Sequence, residues 1–135
     1  MMRVVVTGAT GSLGQALLVR LTQDDYSVVG LGRSQHKIDQ LRSQGYEMKH
    51  CDITNLQQVK DCIIGSDIII HCAAFAAPFG SKRKFFDTNV EGTKNIFQAA
   101  KESSVSRIIA ISSASIFDGM NHDRPHGDKT PDRKF

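Results

Sequence analysis

Thr7-Gly8-Ala9-Thr10-Gly11-Ser12-Leu13-Gly14 is the stretch whose reading decides the fold. It follows a β-branched run, Arg3–Thr7, and leads into leucines recurring four apart at Leu13, Leu17 and Leu21. A strand that becomes a helix through glycines spaced G-x-x-G-x-x-G is a βα junction with specific steric demands. Gly8 lets the chain turn tightly out of the strand. Gly11, without a Cβ, lets backbone come close to a bulky group, and Gly14 lets the helix sit down on the sheet. The helix start then presents free N–H groups and partial positive charge, the setting in which a diphosphate binds. A P-loop is excluded, because no Lys-Ser/Thr follows the last glycine.

Further apolar runs occupy Ser27–Leu31, Ser66–His71 and Arg107–Ser112, with a weaker one at Tyr46–Cys51 around Met48. Near-continuous apolar strands suit a parallel sheet covered on both faces. Helical patterns lie between them. Ile38 and Leu41 mark a short helix ending at Gly45. Leu56, Val59 and Ile63 follow Asn55 as N-cap, and Phe86, Val90, Phe97 and Ala100 form an apolar stripe. The strict alternation predicts an α/β fold: a Rossmann-type, doubly wound parallel sheet of five strands in order 3-2-1-4-5, with helices on both faces. One domain, incomplete, is expected over residues 1–117. Residues 118–135 mix charges with Gly119, Pro125, Gly127 and Pro131, carry almost no apolar side chains, and read as loop or disordered tail.

Of the 135 residues 40% are hydrophobic and 23% charged, a balance that can bury a core. The net charge of +3 calls for neither nucleic acid nor a membrane surface as partner. No apolar run approaches the roughly 18–20 residues of a membrane span. The first residues turn glycine-rich too early for a secretory signal. Cys51, Cys62 and Cys72 form no C-x-x-C pair and have no histidine at zinc-site spacing. They read as reduced, buried thiols of a cytoplasmic protein without a metal site.

The T-G-A-T-G-x-L-G segment resembles the short-chain dehydrogenase/reductase superfamily, in its extended, epimerase/dehydratase-like branch. Later segments match that branch in order over nearly all of residues 1–117. The resemblance implies a nicotinamide dinucleotide held by Gly8, Thr10, Gly11, Ser12, Leu13 and Gly14. The second strand bears on which one. Gly32 stands where an NAD enzyme of this family carries Asp, and Arg33 comes next. A carboxylate would repel a ribose 2′-phosphate, whereas an arginine grips it; NADP is therefore expected, with NAD the alternative. Lys37, one helical turn on, is placed to help.

Asp52-Ile53 resembles the family's adenine-binding pair. Ile68–Ala74 resembles its H-x-A-A element, in which the small Cys72, Ala73 and Ala74 leave room for the cofactor; His71 itself reads as a core histidine. Asn89-Val90-Glu91-Gly92-Thr93 resembles N-[VI]-x-G-T, which implies that Asn89 meets the ribose region. A glycine inside a helix costs up to about 1 kcal/mol against alanine, so Gly92 points to close packing. The basic loop up to Lys84 reads as solvated.

Ile109–Phe117 resembles the S-[ST]-x-x-V-Y-G segment, departing from it at Phe117 and Asp118. This implies Ser112 beside the cofactor and Ser113 as the catalytic serine, hydrogen-bonded to a substrate hydroxyl or carbonyl. The family's base is a tyrosine with a lysine four residues later. Tyr26 and Tyr46 are followed at that spacing by Gly30 and His50. The sequence thus reads as the N-terminal portion of a longer enzyme, able to bind dinucleotide but not to turn over. By resemblance the whole enzyme moves hydride at a carbinol or ketone carbon of a small molecule, either a nucleotide sugar or a steroid-like alcohol. A homodimer through the fourth helix, bearing Phe85, Phe86 and Phe97, is compatible with the sequence. The alternative is a non-catalytic dinucleotide-binding or redox-sensing module.

Overall fold

The computed structural model describes residues 1–75 and 79–112. Five strands, β1 (Arg3–Thr7), β2 (Ser27–Gly32), β3 (Glu47–His50), β4 (Ile68–His71) and β5 (Arg107–Ala110), form one parallel sheet in the order β3-β2-β1-β4-β5. The helices are α1 (Ser12–Gln23), α2 (Gln35–Ser43), α3 (Leu56–Ile63), α4 (Lys82–Phe86) and α5 (Thr93–Lys101). A π-helical turn, Asp87–Gly92, joins the last two. The result is the Rossmann-like α/β architecture expected from the alternation.

Side chains along a strand point alternately to opposite faces, and two cores follow from this. Val5, Val29 and Ile69 pack on one face with Val59 and Ile63 of α3 and Ile96, Ala99 and Ala100 of α5. Val4, Val6, Val28 and Ile70 pack on the other with Leu18 of α1 and Ile38 and Leu41 of α2. Burying one such aliphatic side chain contributes about 1.5–3 kcal/mol. Both faces of β1 are filled, so β1 can carry no alternating polar pattern. Among the described residues no helix is long and apolar enough to cross a membrane, and no group of three or more potential ligands could hold a metal ion.

Two helix phases differ from the sequence expectation. In α1 the buried face is Gly14 and Leu18; Leu17 and Leu21 flank it, and Leu13 is half-exposed at the helix start. The stripe Phe86–Val90–Phe97–Ala100 does not form either. Phe86 and Phe97 remain about half-exposed, at 48% and 47%, while Thr88, Gly92, Ile96, Ala99 and Ala100 are buried. The π turn causes this, since it winds more residues per turn than an α-helix and shifts the buried face away from a 3.6-residue count. Gly92 does pack closely: a Cβ there would lie 2.6 Å from Cδ1 of Ile53. Strand boundaries move by one or two residues, with β3 shortened to Glu47–His50 and β5 to Arg107–Ala110.

Candidate functional site

In a doubly wound sheet the chain connections diverge on either side of one strand, and a crevice opens at the strands' C-terminal ends. Here that strand is β1, between β2 and β4. The crevice is a cleft of about 330 Å³. Gly8, Thr10 and Gly11 line it from the turn after β1, and Leu31, Gly32, Arg33 and Ser34 from the end of β2. Cys51 and Ile53 enter from beyond β3, Cys72, Ala73 and Ala74 from beyond β4, and Thr88 from the π turn.

The glycine turn is shaped by backbone contacts. Gly8 sits at φ +65°, and a Cβ there would lie 2.8 Å from the Ala73 nitrogen. The turn is closed by the Gly11 N–H donating to the Gly8 carbonyl at 3.0 Å. A Cβ on Gly14 would lie 2.1 Å from that same carbonyl oxygen, so only glycine lets α1 start this close to the turn. The N-cap of α1 is Gly11, which has no side chain to cap the first-turn amides, whereas Ser34, Asn55 and Ser81 cap α2, α3 and α4. The α1 N-terminus therefore offers its amides and its dipole at the cleft.

A hydroxyl behind the turn fixes the β4 wall. Thr7 Oγ1, fully buried, accepts from the Cys72 N–H at 3.1 Å and the Ala73 N–H at 3.0 Å. Its own proton then goes to His71 Nδ1, 2.7 Å away. Nε2 accordingly carries the ring proton and donates to Thr93 Oγ1 at 2.9 Å. Burial holds the His71 imidazole below its usual value, in keeping with a neutral ring. His71 is thus the core histidine the sequence suggested, and it ties β1, β4 and α5 together.

Asp52 lies beside the cleft rather than in its lining. Burial works to raise its carboxyl, but hydrogen bonds from the Thr54 hydroxyl and amide outweigh it. With the nearby Arg33 and His50, they hold the group below the usual aspartate value. Asn89 engages both ends of its amide on one residue: Oδ1 accepts from the Phe75 N–H at 2.7 Å and Nδ2 donates to the Phe75 carbonyl at 3.1 Å. It pins the chain leaving β4, and its neighbour Thr88 faces the cleft instead.

Of the residues singled out from sequence, Gly8, Thr10, Gly11, Arg33, Ile53, Cys72, Ala73 and Ala74 come together in the lining. Ser12, Leu13 and Gly14 form the α1 start next to it, and Ser112 follows β5 as an exposed residue. Ser113 and the tail lie outside the described residues. Sequence reasoning missed Thr7, Leu31, Ser34, Cys51 and Thr88. Each adjoins a recognised motif, so adjacency at the strand ends was the available signal.

The comparisons with known proteins agree with this geometry. A family model described as the NAD dependent epimerase/dehydratase family matches residues 4–135. A 2-alkyl-3-oxoalkanoate reductase of Shewanella oneidensis is 31% identical over 130 residues, covering 92% of this chain and 33% of the relative. The chain thus spans about a third of the length of that curated relative. Among solved structures, a short-chain dehydrogenase/reductase superfamily protein from Agrobacterium tumefaciens with bound NAD is similar at TM-score 0.74 and 27% identity, over 86% of this chain and 34% of that one. Yeast methylglyoxal/isovaleraldehyde reductase Gre2 complexed with NADPH is similar at TM-score 0.75 and 28% identity, over 85% and 38%.

Proposed function

The chain belongs to the NAD dependent epimerase/dehydratase family, and on that footing we propose that it is the NADP-binding domain of an enzyme moving hydride at a carbinol or ketone carbon. The observation carrying this reading is the corner between β1 and α1. Side chains are sterically excluded at Gly8 and Gly14, and the helix start is left without a side-chain cap. Such a corner fits a diphosphate, whose charge the helix dipole and the first-turn amides balance. Gly8, Thr10, Gly11, Ser12, Leu13 and Gly14 hold the diphosphate. Ile53 packs on the adenine and Asp52 accepts from its amino group. Cys72, Ala73 and Ala74 leave space for the ribose, and Asn89 holds the backbone that borders them.

Arg33 favours NADP in this reading. It is exposed at the mouth of the cleft, next in sequence to a glycine rather than a carboxylate, and a guanidinium there suits a 2′-phosphate. The bound nicotinamide supplies hydride transfer. Ser113, carried over from the resemblance, orients a substrate hydroxyl or carbonyl. Residues 1–117 form the binding domain, and the substrate is a small alcohol or ketone of the nucleotide-sugar or steroid-like class.

Calorimetric titration with NADPH and NADH tests the reading, with NADPH expected to bind more tightly. Arg33→Asp should weaken NADPH by about 10- to 100-fold, the worth of one charge-assisted pair at an exposed site, and leave NADH within a few-fold. Binding of neither nucleotide overturns the functional reading. Unchanged NADPH affinity in the variant overturns the choice of NADP.

A further inference from the structure

Cys51 and Cys62 share no recognisable spacing, yet the fold brings them together. Cys51 ends the run after β3, where its N–H donates to the Gly32 carbonyl at 2.8 Å. It is 2% exposed and lines the cleft next to Ile53. Cys62 lies in the last turn of α3, half-buried, and packs against the core cluster that contains Cys51. Cys62 Sγ lies 3.7 Å from the carbonyl oxygen of His50, the residue before Cys51, to which it donates. Among the described residues no third ligand joins them to make a metal site.

We propose that Cys51 and Cys62 are a peroxide-sensitive dithiol whose disulfide reshapes the adenine end of the cleft. The second half of this statement rests on the dinucleotide reading above; the first does not. Cys62 reacts first, being the more exposed of the two. The hydrogen bond from Cys51 holds its thiol down to about 7, with help from Lys49, against the opposing pull of burial and Asp61. Cys51 is pushed up by its bond to Cys62, by burial and by the Cys62 and Asp52 charges, so it keeps its proton until the second step.

The Cys62 thiolate attacks one peroxide oxygen, the O–O bond breaks, and the departing hydroxide takes up a proton to leave as water. Cys51 sulfur then attacks the Cys62 sulfenic sulfur. The S–O bond breaks, the Cys51 proton leaves with the hydroxide as a second water, and the S–S bond forms. Two thiols lose one electron each and the peroxide gains both. The sulfurs must close to about 2.05 Å, which draws Cys51 toward α3. Because Cys51 is both a wall of the cleft and the neighbour of Asp52 and Ile53, the wall moves with it.

The test uses the full reduced chain and dilute hydrogen peroxide. Intact mass should fall by two hydrogens, and a non-reduced digest should join the peptides bearing Cys51 and Cys62, both reversed by a phosphine reductant. In Cys51→Ser a dimedone adduct should appear on Cys62. A link to Cys72, a link between chains, or no link at all overturns the dithiol. NADPH affinity is then compared in the two redox states. The disulfide should change it by about threefold or more, and by linkage NADPH should shift the disulfide equilibrium by the same factor. Equal affinities overturn the coupling to the cleft. If the reduced chain binds no nucleotide, the dinucleotide reading and the coupling fall together, while the mass and the digest still decide the disulfide.

Discussion

Replacing Thr7 with valine keeps the shape of the side chain and removes one buried hydroxyl. That oxygen accepts two backbone amides, from Cys72 and Ala73, and donates to His71 Nδ1. All three partners lose their bond at once. An unsatisfied buried polar group costs about 1–3 kcal/mol. Cys72 and Ala73 are only partly buried, so water replaces some of what their amides lose, and the low end applies to them. The expected loss is about 2–4 kcal/mol in total. At a urea slope of about 2 kcal/mol per molar, mid-range for small domains, the unfolding midpoint should fall by roughly 1–2 M. Far-UV circular dichroism during urea titration measures it. Thr7→Ser is the control, since it keeps the hydroxyl and gives up one methyl group, a cost of about 1 kcal/mol. A valine midpoint within about 0.3 M of the unmodified chain, or below which the serine variant falls, would refute the bridging role of Thr7.

The same network makes stability pH-dependent. The folded His71 pKa lies below the ordinary 6.5, so below pH 6.5 the unfolded chain binds a proton that the folded chain refuses. The His71 contribution is therefore complete above about 6.5 and drains away as pH falls toward the folded pKa, by at most about 1.4 kcal/mol per pH unit. Urea midpoints at pH 7.5 and pH 5.5 should differ less in His71→Gln than in the unmodified chain. Gly14→Ala places a methyl 2.1 Å from the Gly8 carbonyl oxygen; it should cost about 1–3 kcal/mol as overpacking and weaken NADPH binding, and an alanine variant with unaltered melt and titration would contradict the tight α1 start. The phase of α5 is checked by a pair: Ile96, fully buried, should lose about 2–5 kcal/mol on conversion to alanine, and Phe97, 47% exposed, less than about 1 kcal/mol. Equal losses in urea melts would place the buried face elsewhere.

The sheet order was legible because Val4–Val6, Val28–Val29 and Ile68–Ile70 are continuous apolar runs, and only a strand covered on both faces uses them. The glycine turn was legible because its requirements are local: a positive φ at Gly8 and a missing Cβ at Gly14 act within seven residues of chain. What escaped was non-local. Thr7 reaches His71, Cys72 and Ala73 from 64 to 66 positions away, and Cys62 joins the cluster containing Cys51 only when α3 folds back beside the end of β3. Asn89 was recognised as a motif residue, but its pairing with the Phe75 backbone depends on where the β4 exit runs. The stripe through Phe86 and Phe97 failed because period counting assumes one helical pitch, and the π turn at Asp87–Gly92 breaks it.

β1 lies mid-sheet, hydrogen-bonded along both edges and filled on both faces. Strands so placed are the last to open in native-state exchange, and the glycine corner is a direct extension of this one. On the proposed reading, a nucleotide arriving there meets amides already aimed and set. Association on that reading loses little to ordering the receptor, so a short glycine-rich corner can serve as a preorganised site.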